Sequence, residues 1–255
     1  MDLLPRVQAR FLKELFHASK GGFVLKGGVA LSMLYGPSRL TRDVDLDFPP
    51  APIRTAESLH NQVMKALQHA LRGTKITDIR INEPGKGEIS PKWRVSGLGP
   101  DRHEFRMKVE VSRRPPPPGS VRQATVSGVA TFGLGTYYVD LYDERTLVAM
   151  KLSALLGRTA VRDVCDLDLL LPTHLPSPAL VDWAIQHAGV SAADAPTLLT
   201  AQLTSMDWTL FQTQMIADEN LMSKTSSDTW EDMKARVGST LTKVLLSHRQ
   251  HQDVP

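Results

Sequence analysis

KGGVALSMLYGPSRLTRDVDLDF, residues 26–48, opens on two glycines and closes on three aspartates separated by single apolar residues. Strict alternation over 43–48 predicts a β-strand, in which successive side chains point to opposite faces. Asp43, Asp45 and Asp47 then share one face, while Val44, Leu46 and Phe48 form the core face. Alternate residues of a strand stand roughly 7 Å apart, and like charges so placed repel. Two carboxylates at that spacing can instead share divalent cations. A few hard oxygen donors suit Mg²⁺, with Mn²⁺ as an alternative. The same D-x-D pattern also occurs as a solvated charged face that keeps a sheet edge from pairing.

Upstream, Phe23-Val24-Leu25 reads as a short buried strand, Gly27-Gly28 as its break, and Val29 to Leu34 as the start of a helix stopped by Gly36-Pro37. Glycines at a helix start let backbone N–H groups approach phosphate oxygens, and the helix dipole favours the anion. Lys26 precedes the glycines, and Arg39 and Arg42 precede the aspartates. A phosphate cradle followed by a metal-binding strand is a minimal arrangement for nucleotidyl transfer. Taken alone, the two glycines are equally a plain turn into a helix.

Further out, apolar residues at helical spacing predict a helix over 3–18, and 55–72 reads as another. Three β-like segments follow between 75 and 112, separated by Pro84, Gly85, Gly87, Gly99 and Pro100. RRPPPPG at 113–119 excludes a helix interior or central strand. Short strands are expected over 121–141, then helices at 143–157, 161–171, 178–188, 191–204 and 228–247. Strands followed by helices indicate an α+β fold with a helical C-terminal region, dividing near 142. In EFRMKVEVS, alternation puts Glu110 on a face with Lys108 and Ser112, making it the third carboxylate expected beside the aspartates. Trp183, Trp208 and Trp230 fall at helical positions and are expected in the core.

The 255 residues suffice for one large domain or two small ones, and 42% hydrophobic with 22% charged residues is an ordinary globular balance. Residues 1–142 hold 21 Lys and Arg against 13 Asp and Glu, whereas 143–255 hold 9 against 14. A basic front half suggests a polyanionic ligand. Cys165 is the only cysteine, which excludes an intrachain disulfide or a multi-cysteine zinc site and fits a reducing, cytoplasmic setting. No signal peptide or membrane-length apolar run is expected.

The run Lys26-Gly27-Gly28-Val29-Ala30-Leu31, then Arg39-Leu40-Thr41-Arg42-Asp43-Val44-Asp45, resembles the K-G-G-x-A-L and R-x-[ST]-x-D-x-D pattern of the AbiEii/AbiGii toxin branch of the DNA polymerase β-like nucleotidyltransferases, similar to MenT-type toxins. Gly28 stands where many members of the wider superfamily carry serine, as is usual for this branch. Residues 141–171 resemble a later block of the family, carried by Glu144, Leu147, Lys151, Ala154, Leu155, Arg158, Arg162, Asp163, Asp166 and Leu167. Lys151 and Arg158 lie two helical turns apart, and Asp163 and Asp166 are i,i+3 neighbours. An Arg162–Asp166 surface pair is the simpler reading of that segment alone.

The resemblance implies a nucleotidyltransferase-like mixed sheet with flanking helices in 1–142, and a helical region, 143–255, that completes the nucleotide site through Lys151 and Asp166. It implies Asp43, Asp45, Lys151 and Asp166 as catalytic residues, with Asp163 as the second choice of essential aspartate. Lys26, Gly27, Gly28, Arg39, Thr41, Lys151 and Arg158 would meet the nucleotide, and Asp43, Asp45 and Glu110 the metal. The implied activity moves a nucleoside monophosphate from an NTP to RNA, the tRNA 3′ end in some members. Such enzymes act as toxins in toxin–antitoxin or phage-defence pairs, with a separate antitoxin. Two alternatives share the residues: nucleotidyl or phosphoryl transfer to a protein, and a non-catalytic nucleotide- or RNA-binding module.

Overall fold

The computed structural model describes residues 3–19, 22–36, 41–52, 54–85, 87–126, 133–215 and 219–252. Two compact units result, each with its own core. The first takes the described residues up to Tyr142 except 117–120, and the second takes 117–120 and everything from Asp143 on.

A seven-stranded mixed sheet organises the first unit. Its strands are β1 (Val24–Lys26), β2 (Asp43–Asp47), β3 (Thr77–Asn82), β4 (Lys92–Leu98), β5 (Glu104–Ser112), β6 (Val121–Val126) and β7 (Tyr137–Tyr142), in spatial order β3-β4-β5-β2-β1-β7-β6. The pairs β1–β7 and β2–β5 are parallel and the other neighbours antiparallel. The alternation read in the sequence holds: Val44, Leu46, Phe105, Met107, Val109, Val111, Trp93 and Val95 are all buried.

They meet helices α1 (Leu3–Ala18) and α3 (Ala56–Leu71), whose apolar stripes include Phe11, Leu12, Leu15, Leu59, Val63 and Leu67. The Thr55 hydroxyl caps α3 by accepting from the Ser58 N–H at 3.0 Å. Gln8 of α1 donates to the Thr41 carbonyl at 2.9 Å, pinning the entry to β2. Helix α2 (Gly27–Tyr35) starts at Gly27, not at Val29, so both glycines lie in its first turn. Strand β2 is central, which removes the edge-strand explanation for its aspartates.

The second unit is helical: α4 (Glu144–Gly157), α5 (Val161–Leu170), α6 (Pro178–Ala188), α7 (Ala195–Ser205), α8 (Trp208–Met215), α9 (Glu219–Lys224) and α10 (Ser227–Gln252). Asp143 caps α4 through the Thr146 N–H at 2.8 Å. Trp230 is fully buried and donates to the Met206 carbonyl at 3.0 Å. Trp183 and Trp208 are half-buried and stack on His187 and Phe211, so of the three tryptophans only Trp230 is a core residue. Helices α8 and α9 go beyond the sequence expectation, although Trp208, Phe211 and Met215 recur at helical spacing and Phe211 and Met215 are buried. Among the described residues, no helix is long and apolar enough to cross a membrane.

Candidate active site

Lys26 ends β1 in extended conformation, and the chain turns at once into α2 through Gly27 at φ +68°. That left-handed value favours glycine. Space requires it too, since a Cβ on Gly27 would run into the Asp45 carboxylate. The antiparallel register sets Lys26 opposite Asp45. On its other side β2 runs parallel to β5, with Asp43 beside Lys108, Asp45 beside Glu110 and Asp47 beside Ser112. Three carboxylates thus occupy adjoining positions on the polar face, next to the amino end of a helix.

Charge balance there is incomplete. The Lys108 ammonium lies 3.0 Å from Asp43 and 3.4 Å from Glu110, and Lys92 lies 3.5 Å from Glu110. Burial raises the Asp45 carboxyl above its ordinary range, and the Asp43 and Glu110 charges push the same way against Lys108 and Lys26. Burial works against the Lys108 charge, but its hydrogen bond to Asp43 and the surrounding carboxylates outweigh this and raise its pKa.

Asp47 behaves differently. It is 3% exposed, bound by the Lys26 ammonium at 2.5 Å and by the Tyr142 hydroxyl at 2.8 Å. Burial, then the Asp47 charge, pushes the Tyr142 hydroxyl well above its usual range, so it remains a donor. Asp47 is therefore not part of a solvated charged face; it holds Lys26.

In the helical unit, Lys151 of α4 bridges two buried carboxylates of α5, 2.8 Å from Asp163 and 2.6 Å from Asp166. Arg158, the residue capping α4, gives two hydrogen bonds to Asp163 at 3.0 Å. Lys151, Arg158, Asp163 and Asp166 thus come together, and the pairing of Asp166 with Lys151 displaces the Arg162 surface-pair reading.

The model of the nucleotidyl transferase AbiEii toxin family, a type IV toxin–antitoxin system, matches residues 10–249. The chain belongs to the AbiEii nucleotidyltransferase toxin family. Solved structures similar to it include JHP933 from Helicobacter pylori, at 18% identity, TM-score 0.59 and coverage of 98% of this chain and 95% of that one. MenT4, a nucleotidyltransferase toxin from Mycobacterium tuberculosis, is 19% identical at TM-score 0.54, covering 75% of this chain and 64% of that one. At such identities the likeness is one of fold. No curated protein matches the sequence. As an AbiEii member the protein is a nucleotidyltransferase of the toxin class, with an NTP as substrate and a cognate antitoxin as partner, in a family that uses a divalent metal.

Asp43 and Asp45 could hold such a metal through hard carboxylate oxygens. Among the described residues no three His, Cys, Asp or Glu side chains converge as a ligand set. Glu110 adjoins Asp45 but spends its carboxylate on Lys92 and Lys108. Thr41 offers its hydroxyl to the Asp43 carbonyl at 3.4 Å. Arg39 lies outside the described residues. The Lys26–Asp47–Tyr142 triad escaped sequence reasoning, because the β1–β7 crossover that brings Tyr142 alongside leaves no local signal.

Proposed function

We propose that this AbiEii-family enzyme transfers a nucleoside monophosphate from an NTP to RNA, at the 3′ end of a tRNA, with Mg²⁺ as its metal. The observation that carries the reading is Asp45 pressed against Gly27: a carboxylate at the amino end of α2 with Asp43 beside it on the same strand face. An acceptor hydroxyl oxygen attacks the α-phosphorus. A new P–O bond forms, the bond to the bridging oxygen of the β-phosphate breaks, the hydroxyl proton passes to a base, and pyrophosphate leaves.

Asp43 and Asp45 would hold the metal, which when bound orients the α-phosphate and offsets the charge of the departing pyrophosphate. Gly27 and Gly28 carry no side chains to bar phosphate oxygens from the first N–H groups of α2. Lys26, braced by Asp47, adds fixed positive charge, and Thr41 belongs to the same nucleotide-binding segment. Lys151 is assigned to the triphosphate, with Arg158 sharing its partner Asp163, and Asp166 is the essential carboxylate that holds the Lys151 ammonium in place. RNA is favoured as acceptor because Lys92, Arg94, Arg106 and Lys108 populate the polar face of β4 and β5, and such cations bind phosphate backbones without reading sequence.

The test supplies each α-labelled NTP with Mg²⁺, total RNA and a mixture of proteins. Label at RNA 3′ ends, lost with EDTA and restored by Mg²⁺, is the expected result. Label on protein with none on RNA contradicts the acceptor assignment. No label under any condition contradicts catalysis by this chain.

A further inference from the structure

The polar face of the sheet continues past the carboxylates, away from β1. Over β5, β4 and β3 it forms a pocket of about 450 Å³, lined among others by Arg42, Arg94, Arg106, Lys108, Asn82 and Ser96. Asp43 and Glu104 also line it, and each already has a cation: Lys108 for Asp43, and Arg106 for Glu104 at 2.5 Å. Arg42 and Arg94 have no side-chain hydrogen bond or ion pair among the described residues. The antiparallel register sets Arg94 directly opposite Lys108 on one side and Asn82 on the other. Like charges set directly opposite destabilise a sheet unless something lies between them. Arg94 sits on β4, inside the sheet, so protection of an edge strand does not explain it.

We infer that this pocket binds a backbone phosphate of the single-stranded RNA acceptor, with Arg42 and Arg94 as its principal ligands. The inference rests on the RNA reading given above. A planar guanidinium gives two parallel hydrogen bonds to a phosphate, and two of them can share one phosphodiester group. Asn82 supplies a neutral amide donor at the rim. Position separates this phosphate from those of the NTP. The first turn of α2 follows β1, on one side of β2, while the pocket lies on the β5 side. The strand carrying Asp43 and Asp45 therefore stands between the two. Asp43 belongs to both, so a strand anchored in the pocket brings its end to the carboxylates.

The experiment uses the full chain as wild type, Arg42→Gln/Arg94→Gln, Arg94→Lys and Lys65→Gln, the last an exposed lysine on α3. Binding of a single-stranded oligoribonucleotide is followed from 50 to 200 mM salt, and binding of each NTP by calorimetry. The double variant should melt like wild type, bind RNA roughly 10- to 100-fold more weakly, and lose about 0.7 from the log–log salt slope, the share of one phosphate. Its NTP affinity should stay within twofold. Arg94→Lys should lie between, having charge but no fork, and Lys65→Gln should match wild type.

If RNA binding is unchanged in the double variant while wild type binds and labels RNA, the pocket assignment is wrong and the acceptor reading stands. If NTP affinity falls instead, the pocket holds a nucleotide phosphate and the inference is overturned. If wild type neither binds nor labels RNA, both fail together.

Discussion

Two clusters of charge, one in each unit, solve opposite problems. On β2 and β5, Asp43, Asp45 and Glu110 crowd together, with Lys108 shared between two of them and Asp45 held above its ordinary pKa. In the helical unit, Lys151 sits between Asp163 and Asp166, both buried, and Arg158 closes the set from the surface. The first arrangement is costly and partly open. The second is closed and electrically satisfied. A fold keeps surplus like charge where something else is to neutralise it, whereas a satisfied buried set fixes geometry. On the proposed assignment the strand cluster is the reactive one, and the helical cluster is a rigid mount for the Lys151 ammonium.

The largest effect should come from Lys151→Ala, which leaves two buried carboxylates without their ammonium and should cost about 3 kcal/mol in denaturant unfolding. Loss of transfer in that variant therefore reports folding as well as chemistry. Lys151→Met combined with Asp166→Asn should recover stability but not transfer. A Lys151→Ala protein as stable as wild type would remove the mount from the comparison.

Gly27→Ala comes next. It forces a left-handed φ on a residue with a Cβ and displaces Asp45, at a cost of about 1–3 kcal/mol. Its transfer rate should fall further than its stability. Tyr142→Phe strips Asp47 of a hydrogen bond and should cost about 1.5 kcal/mol, with the rate falling as Lys26 loosens. Arg158→Gln should be the mildest, below about 1 kcal/mol, because its side chain is 64% exposed and Asp163 keeps Lys151. If Arg158→Gln proved more damaging than Lys151→Ala, the ranking of buried over exposed pairs would be inverted.

Alternation in DVDLDF and EFRMKVEVS made the two faces of β2 and β5 legible from sequence, together with the mixed α+β architecture. Both carboxylate strands have a buried apolar face, so a one-residue slip would turn their charges into the core. Spatial order of the strands was not legible. Nothing local tells β2 to lie between β5 and β1, or β7 to pair with β1, so the burial of Asp47 and the part played by Tyr142 had to come from the structure. Helix α2 begins two residues early for a related reason: glycine lowers helix propensity, but the Asp45 contact demands Gly27 and overrides it. Pairing of Arg94 with Lys108 across β4 and β5 was likewise invisible, since register is a property of two strands.

The decisive comparison is Asp45→Asn against wild type, measured for label transfer and thermal unfolding on the same samples. Burial and neighbouring carboxylates raise the Asp45 pKa above its ordinary 3.8, so its ionisation weakens the folded state as pH rises. The variant should lose transfer by a factor on the order of 10³, yet melt no lower than wild type, with its relative stability improving from pH 4 toward 7. An Asp45→Asn protein that still transfers label, or one that unfolds in step with its lost activity, would contradict the assignment of the β2 carboxylates as the reactive centre.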